Sequence, residues 1–255
     1  MGNKAQLQAH RGVSTDCPEN TMSAFVASVE QGYDIIELDP AVTADGKIVV
    51  LHDATLTRTG RKSDGSEIEG DIKIEDITYE EALTYDYGIW FGEEFAGEKL
   101  PLLADVIAFA KEHNIPLKID NKIFRFDEKY REEIIRMVTE AECGGITCYD
   151  MDAVRYVLGV CKDAYIHYDG GVTDEILEEL VALVPKDRLV VWVPYKCDLT
   201  WWVNVAYADE ELCAKVKKMA KLGIWIIEKQ EHYTDAVNRL GADIIETTGS
   251  VKPCR

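Results

Sequence analysis

The chain has 255 residues, and 28 Lys and Arg against 47 Asp and Glu give it a formal charge of −19. Nothing in it offers a basic face that could release counterions from a nucleic acid, or a polybasic segment that could hold an anionic membrane, so both partners are excluded as expectations. With 47% apolar and 29% charged residues, the composition is that of a globular protein able to bury a core.

The opening Met-Gly-Asn-Lys-Ala-Gln lacks the apolar stretch of a signal peptide, and no run is apolar and long enough to span a bilayer. Cys17, Cys143, Cys148, Cys161, Cys197, Cys213 and Cys254 are odd in number and form no C-x-x-C pair. They read as reduced thiols, and together these features point to a cytoplasmic protein.

The first predicted strand runs from Ala5 to His10 and ends in His10-Arg11-Gly12, followed by helix periodicity over Thr21 to Gln31. A second strand, Asp34 to Thr43, leads through Asp45-Gly46 into the apolar Ile48 to His52, the signature of a two-residue hairpin. That register places Ala44 opposite Lys47 and Asp39 opposite His52, and period two puts Glu37 beside Asp39. Two carboxylates so spaced suit a hard divalent cation, Mg²⁺ or Ca²⁺ with Mn²⁺ as a further candidate, better than zinc. The stretch from Ala54 to about residue 100 is too long for a connector and is expected to form a small insertion.

Strands are then predicted at Pro116 to Asn121, Gly145 to Tyr149, Ala164 to Asp169, Leu189 to Tyr195, Gly223 to Glu228 and Ala242 to Thr247. Helical segments separate them at Leu102 to His113, Glu128 to Glu142, Met151 to Val160, Thr173 to Val184, Ala208 to Leu222 and Tyr233 to Leu240. About eight strands, apolar on both faces and alternating with helices, predict a TIM-type (β/α)8 barrel spanning residues 1–255 as one domain, with the last helix missing or reduced.

In such a barrel the carboxyl ends of the strands ring one mouth, which gathers His10, Glu37, Asp39, His52, Asp120 and Lys122. Asp120 would add a third metal ligand. Arg11 offers a two-pronged contact for phosphate and Lys122 a point charge. The rim residues Tyr149, Tyr168, Asp169, Tyr195, Glu228 and Trp201-Trp202 could shape a pocket for an alcohol group, their aromatic faces able to hold a choline-like cation. His167 receives no role.

These residues resemble the glycerophosphodiester phosphodiesterase family. Its motifs stand here as His10-Arg11-Gly12, Pro18-Glu19-Asn20-Thr21, Glu37-Leu38-Asp39, Thr43-Ala44-Asp45-Gly46, His52-Asp53 and the Leu56-Thr57-Arg58-Thr59 stretch. The resemblance is nearly continuous over the first 122 residues and looser beyond. It implies metal-dependent hydrolysis of a small phosphodiester to glycerol 3-phosphate and an alcohol. Glu37, Asp39 and Asp120 would be the metal ligands, His10 and His52 the acid/base pair, and Arg11 and Lys122 the phosphate contacts. Asp120-Asn121-Lys122 replaces the family's usual Glu-Ile-Lys, which draws the carboxylate back by about one bond length, ~1.5 Å. Near the end of the chain, Glu228 replaces an Asn and Thr248 stands near a usual Asp. Two other functions fit the same residues: a catalytically weakened barrel that binds a phosphate ligand, and a metal-free lyase using Lys118 or Lys122 as a Schiff-base nucleophile.

Overall fold

The computed structural model describes residues 4–196 and 206–253. In chain order its elements are β1 (Gln6–Ala9), α1 (Met22–Gln31), β2 (Ile35–Leu38), β3 (Pro40–Val42), β4 (Ile48–Val50), α2 (Tyr79–Ala82) and α3 (Leu103–His113). They continue with β5 (Leu117–Ile119), α4 (Glu128–Glu140), β6 (Gly144–Cys148), α5 (Met151–Val160), β7 (Tyr165–Tyr168) and α6 (Asp174–Leu183). The last are β8 (Leu189–Pro194), α7 (Glu210–Met219), β9 (Lys221–Trp225), α8 (Gln230–Asn238) and β10 (Ile244–Thr247). The parallel strands close into a barrel in the order β1-β10-β9-β8-β7-β6-β5-β2.

Local chemistry sets the helix ends. Thr21 caps α1 by accepting the Ala24 N–H, and Gly32, at φ 84°, turns the chain out of it in the left-handed region. Asp150, Thr173 and Asp209 start α5, α6 and α7 in the same way. Among the described residues no helix follows β10, and none is long and apolar enough to cross a membrane.

The second predicted strand is in fact two. β2 belongs to the barrel, while β3 leaves it after Asp39 and pairs antiparallel with β4. Their register sets Pro40 opposite Val50 and Val42 opposite Ile48, one step from the two-residue expectation, so Asp39 meets Leu51 rather than His52. The physical reason is a three-residue loop. The Thr43 N–H donates to the Lys47 carbonyl, the Thr43 hydroxyl accepts from the Lys47 N–H at 2.9 Å, and Gly46 takes φ 76° between them. Residues beyond the hairpin pack on it through their own apolar cluster, in which Leu56, Ile74, Ala82 and Tyr87 cover Val49 and Leu51.

Outside the barrel the core is mostly aliphatic, with Phe25 and Tyr33 among its aromatic members; inside it is layered. Ile35, Val190 and Ile244 fill one level with Trp192. Above them lie polar side chains that are almost wholly buried: Gln8, Lys118, His167 and Glu246. Lys118 Nζ donates to Glu246 Oε2 at 2.8 Å, Gln8 donates to the same oxygen, and the ammonium sits 4.2 Å over the Trp192 ring. Trp192 donates its indole N–H to His167 Nδ1 at 3.1 Å. Two glycines make room for these rings: a Cβ at Gly145 would come within 2.7 Å of the His167 ring, and one at Gly223 within 2.4 Å of Trp192.

Burial first, and then the Lys118 charge, push the His167 pKa down to about 3. Between that value and the ordinary 6.5, the unfolded chain binds a proton that the folded chain refuses, so this residue removes stability as pH falls through the interval. His167→Asn keeps an acceptor for Trp192 without a titrating group. In denaturant titrations between pH 6.5 and 4, its stability should decline less steeply than wild type by up to about 1.4 kcal/mol per pH unit. Parallel slopes would place the imidazole in contact with solvent.

Candidate active site

Barrel alternation aims the ends of β1, β2 and β5 at one mouth, and there Glu37, Asp39 and Asp120 each bring a carboxylate oxygen within 4.8 Å of the others. Glu37 and Asp39 are only 3% and 2% exposed, so their charges have little water to screen them. Positive groups converge on Asp39 instead. Lys122 Nζ pairs with one oxygen, while Arg11 Nε lies 3.4 Å from the other and Asn20 donates to it at 2.8 Å. Against the pull of burial, Lys122, Arg11 and His52 hold this carboxyl well below the usual range.

Glu37 is treated differently. It accepts the Arg11 N–H at 2.9 Å, yet burial, then Asp39 and Glu246, raise its pKa well above the ordinary value. The cluster therefore holds more negative potential than its neighbours neutralise. Three carboxylates with no sulfur or imidazole among them form an oxygen donor set suited to Mg²⁺ or Ca²⁺, so these residues could hold such an ion. The shorter side chain at Asp120 does not remove it from the cluster. One of its oxygens accepts the Lys122 N–H at 3.0 Å, which starts the short 3-10 turn at Asn121–Arg125 that carries Lys122 back to Asp39.

Both expected histidines reach this mouth, in unlike settings. His10 Nε2 lies 3.9 Å from Glu37 Oε2, and burial lowers its pKa against the opposing charge of Glu246. Despite the changed hairpin register, His52 and Lys122 line one cavity of about 550 Å³. His52 Nδ1 is 2.6 Å from Asp53 Oδ1, so the neutral ring carries its proton on Nδ1 and leaves Nε2 free for exchange.

Sequence reasoning missed the support behind these groups. Asp53 accepts from Arg58 Nε at 2.6 Å, Arg58 donates to both oxygens of Glu19 at 2.7 Å, and Glu19 also accepts from Arg11 Nη1 at 2.9 Å. His52, Asp53, Arg58, Glu19, Arg11, Asp39 and Lys122 thus form one chain of polar contacts around the mouth. Glu19, Asn20, Asp53 and Arg58 all lay in the family-like motifs, which was the available signal. Arg11 itself sits at φ 59°, a left-handed backbone that lets its N–H and its guanidinium face different carboxylates.

The remaining candidates separate clearly. Lys118 has its ammonium bound by Glu246, and with burial opposing, Glu246, Asp169 and Glu37 keep it cationic. An ammonium has no lone pair for a Schiff base, which argues against Lys118 as the nucleophile of a lyase. Tyr168 and Tyr195 spend their hydroxyls on the Gly171 carbonyl and on Asp235. Glu228 accepts the Thr248 N–H at 2.8 Å and its hydroxyl at 2.7 Å, so the two late departures from the family pattern partner each other. Tyr149 is exposed. Cys17, Cys143, Cys148, Cys161 and Cys213 are free thiols. Trp201-Trp202, Cys197 and Cys254 lie outside the described residues.

The model of the glycerophosphoryl diester phosphodiesterase family matches residues 10–158. A glycerophosphodiester phosphodiesterase of Caldanaerobacter subterraneus is 41% identical over 119 residues, 47% of this chain and 46% of that protein. The uncharacterized Bacillus subtilis protein YqiK is 38% identical over 205 residues, 69% of this chain and 81% of its own. A Bacillus altitudinis glycerophosphodiester phosphodiesterase matches over 52% of its length, so the chain spans about half the length of two of these three curated relatives. Among solved structures, an Oleispira antarctica phosphodiesterase in complex with the product sn-glycerol-3-phosphate superposes with TM-score 0.75 at 22% identity, covering 96% of this chain and 93% of that one. A Thermotoga maritima glycerophosphodiester phosphodiesterase gives 0.70 at 21% identity, covering 98% and 97%.

Lys122→Met leaves the Asp39 carboxylate buried with one cation fewer. The variant should lose up to about 3 kcal/mol of stability in EDTA, measured by denaturant unfolding. A change under about 0.5 kcal/mol would mean that Asp39 does not depend on this pairing.

Proposed function

The chain belongs to the glycerophosphoryl diester phosphodiesterase family, and from that premise we propose that it hydrolyses a glycerophosphodiester to glycerol 3-phosphate and an alcohol. One observation carries the assignment: three carboxylate oxygens lie within 4.8 Å of one another beside two histidines and two cationic side chains.

A phosphodiester resists attack because its own charge repels a nucleophile and its leaving alkoxide is unstable. Glu37, Asp39 and Asp120 would hold a divalent cation, which would supply Lewis-acid stabilisation of the phosphoryl oxygens. Arg11 and Lys122, which neutralise Asp39 in the structure, are the cations available to the non-bridging oxygens as charge builds on them. His10 and His52 serve as the acid/base pair. One takes the proton of the attacking hydroxyl, from water or the substrate's own 2-hydroxyl, and the other returns a proton to the departing alkoxide. Asp53 assists by fixing the His52 tautomer, so that Nε2 is the nitrogen that exchanges. Arg58 and Glu19 hold Asp53 and Arg11 in register with each other.

The test is hydrolysis of glycerophosphocholine and glycerophosphoethanolamine with and without EDTA, restoring Mg²⁺, Mn²⁺ and Ca²⁺ one at a time. Activity should vanish with chelator and return with at least one ion. His10→Ala and His52→Ala should each lower kcat by at least about 10²-fold with melting curves unchanged. Full turnover in EDTA, or near-normal turnover in either variant, would reject the assignment.

A further inference from the structure

Another cavity, of about 360 Å³, has a polar lining that includes Asn121 and Asp169 and walls that include Trp192 and Trp225. Asn121 follows directly on Asp120, and Asp169 lies close enough to Asp120 for its charge to be felt, so this space is near the carboxylate cluster. Asp169 ends β7 on the barrel-interior face, where it accepts the Trp225 indole N–H on Oδ1 at 2.9 Å. That bond fixes the carboxylate and leaves Oδ2 without a hydrogen-bond partner among the described residues; the Asn121 side chain has none either. Asn121 and Asp169 are both half-buried and both line this cavity, so the Asp169 Oδ2 and the Asn121 amide are open to the hydroxyls of a ligand bound there.

Resting on the phosphodiesterase reading, we propose that Asn121 and Asp169 form the subsite for the leaving alcohol and that this alcohol is polyhydroxylated, a glyceryl or cyclic polyol group, rather than an ammonium alcohol such as choline. A hydroxyl needs one acceptor and one donor. Asp169 Oδ2 supplies the first and the Asn121 amide both, while the indole walls suit the C–H faces of a polyol. A quaternary ammonium could meet only the Asp169 charge and would leave the Asn121 amide unused; Lys118, which already acts on that carboxylate and whose Nζ lies 4.2 Å over the Trp192 ring, repels a second cation here. The volume lies at the lower end of small-molecule sites and exceeds what a three-carbon group fills, which leaves space for a ring. Asn121 stands where the family-like motif carries an apolar residue, so the amide is a feature of this chain.

The test compares kcat/KM for glycerophosphoglycerol and glycerophosphoinositol with that for glycerophosphocholine and glycerophosphoethanolamine, in wild type, Asn121→Ile and Asp169→Asn. Wild type should favour the polyol diesters by at least about tenfold, the worth of one well-placed hydrogen bond. Asn121→Ile should abolish that preference, the polyol diesters losing more than the choline and ethanolamine diesters, and a melting curve at the wild-type position confirms its fold. Asp169→Asn, which keeps an acceptor oxygen, should retain part of the preference. Choline or ethanolamine diesters preferred by wild type, or an equal loss on all four substrates in Asn121→Ile, would overturn the inference while leaving the phosphodiesterase reading intact. Absence of hydrolysis of all four by wild type would overturn that reading and the inference with it.

Discussion

Two carboxylates, Glu37 and Asp39, are buried two residues apart at the end of one barrel strand, and the surrounding structure is arranged to make that tolerable. Like charges so close in a poorly solvated place cannot both persist without compensation. Arg11 supplies it twice, with its backbone N–H on Glu37 and its guanidinium near Asp39. Lys122 arrives from the turn that Asp120 itself starts, and Asn20 adds a neutral hydrogen bond. What stays uncompensated is concentrated on Glu37, whose raised pKa marks where another positive charge would be most welcome.

The same logic runs below and around the mouth. In the barrel interior, Glu246 is neutralised by Lys118, whose ammonium also rests on Trp192, so a charged level lies beneath the carboxylates without opening the barrel to water. Around the rim, Glu19 and Arg58 tie the end of the first barrel strand to the hairpin that presents His52. The hairpin thereby becomes part of the barrel mouth although its strands pair only with each other. Shifts in one member of this network are felt by the rest, which is why residues such as Glu19 and Arg58 matter to a centre they do not line.

The eight barrel strands were legible because each is a short apolar run bounded by helix periodicity, and the ring of strand ends that this implied brings Glu37, Asp39 and Asp120 together at one mouth. The hairpin loop was not legible to one residue. Asp45-Gly46 is compatible with both a two- and a three-residue turn, and the choice fell to the Thr43 side chain, which binds the Lys47 N–H. His52 still reached the mouth because it follows β4 into the cavity rather than facing Asp39 across a strand pair. Partners far apart in sequence were invisible for a simpler reason. Lys118 and Glu246 are brought together only when β1 and β10 close the barrel, and nothing local to either residue announces the other. The family-like motifs pointed at Glu19, Asp53 and Arg58 without saying that they form one chain of ion pairs.

The space between the three acidic side chains is where a bound cation would sit. Crystals soaked in Mn²⁺ and measured at its absorption edge would show this directly. The expected result is a single strong anomalous peak bounded by carboxylate oxygens of Glu37, Asp39 and Asp120 at roughly 2.0–2.3 Å, typical of hard cations on oxygen, with Lys122 withdrawn from Asp39. An empty cluster at saturating Mn²⁺, with Lys122 still bound to Asp39, would contradict it.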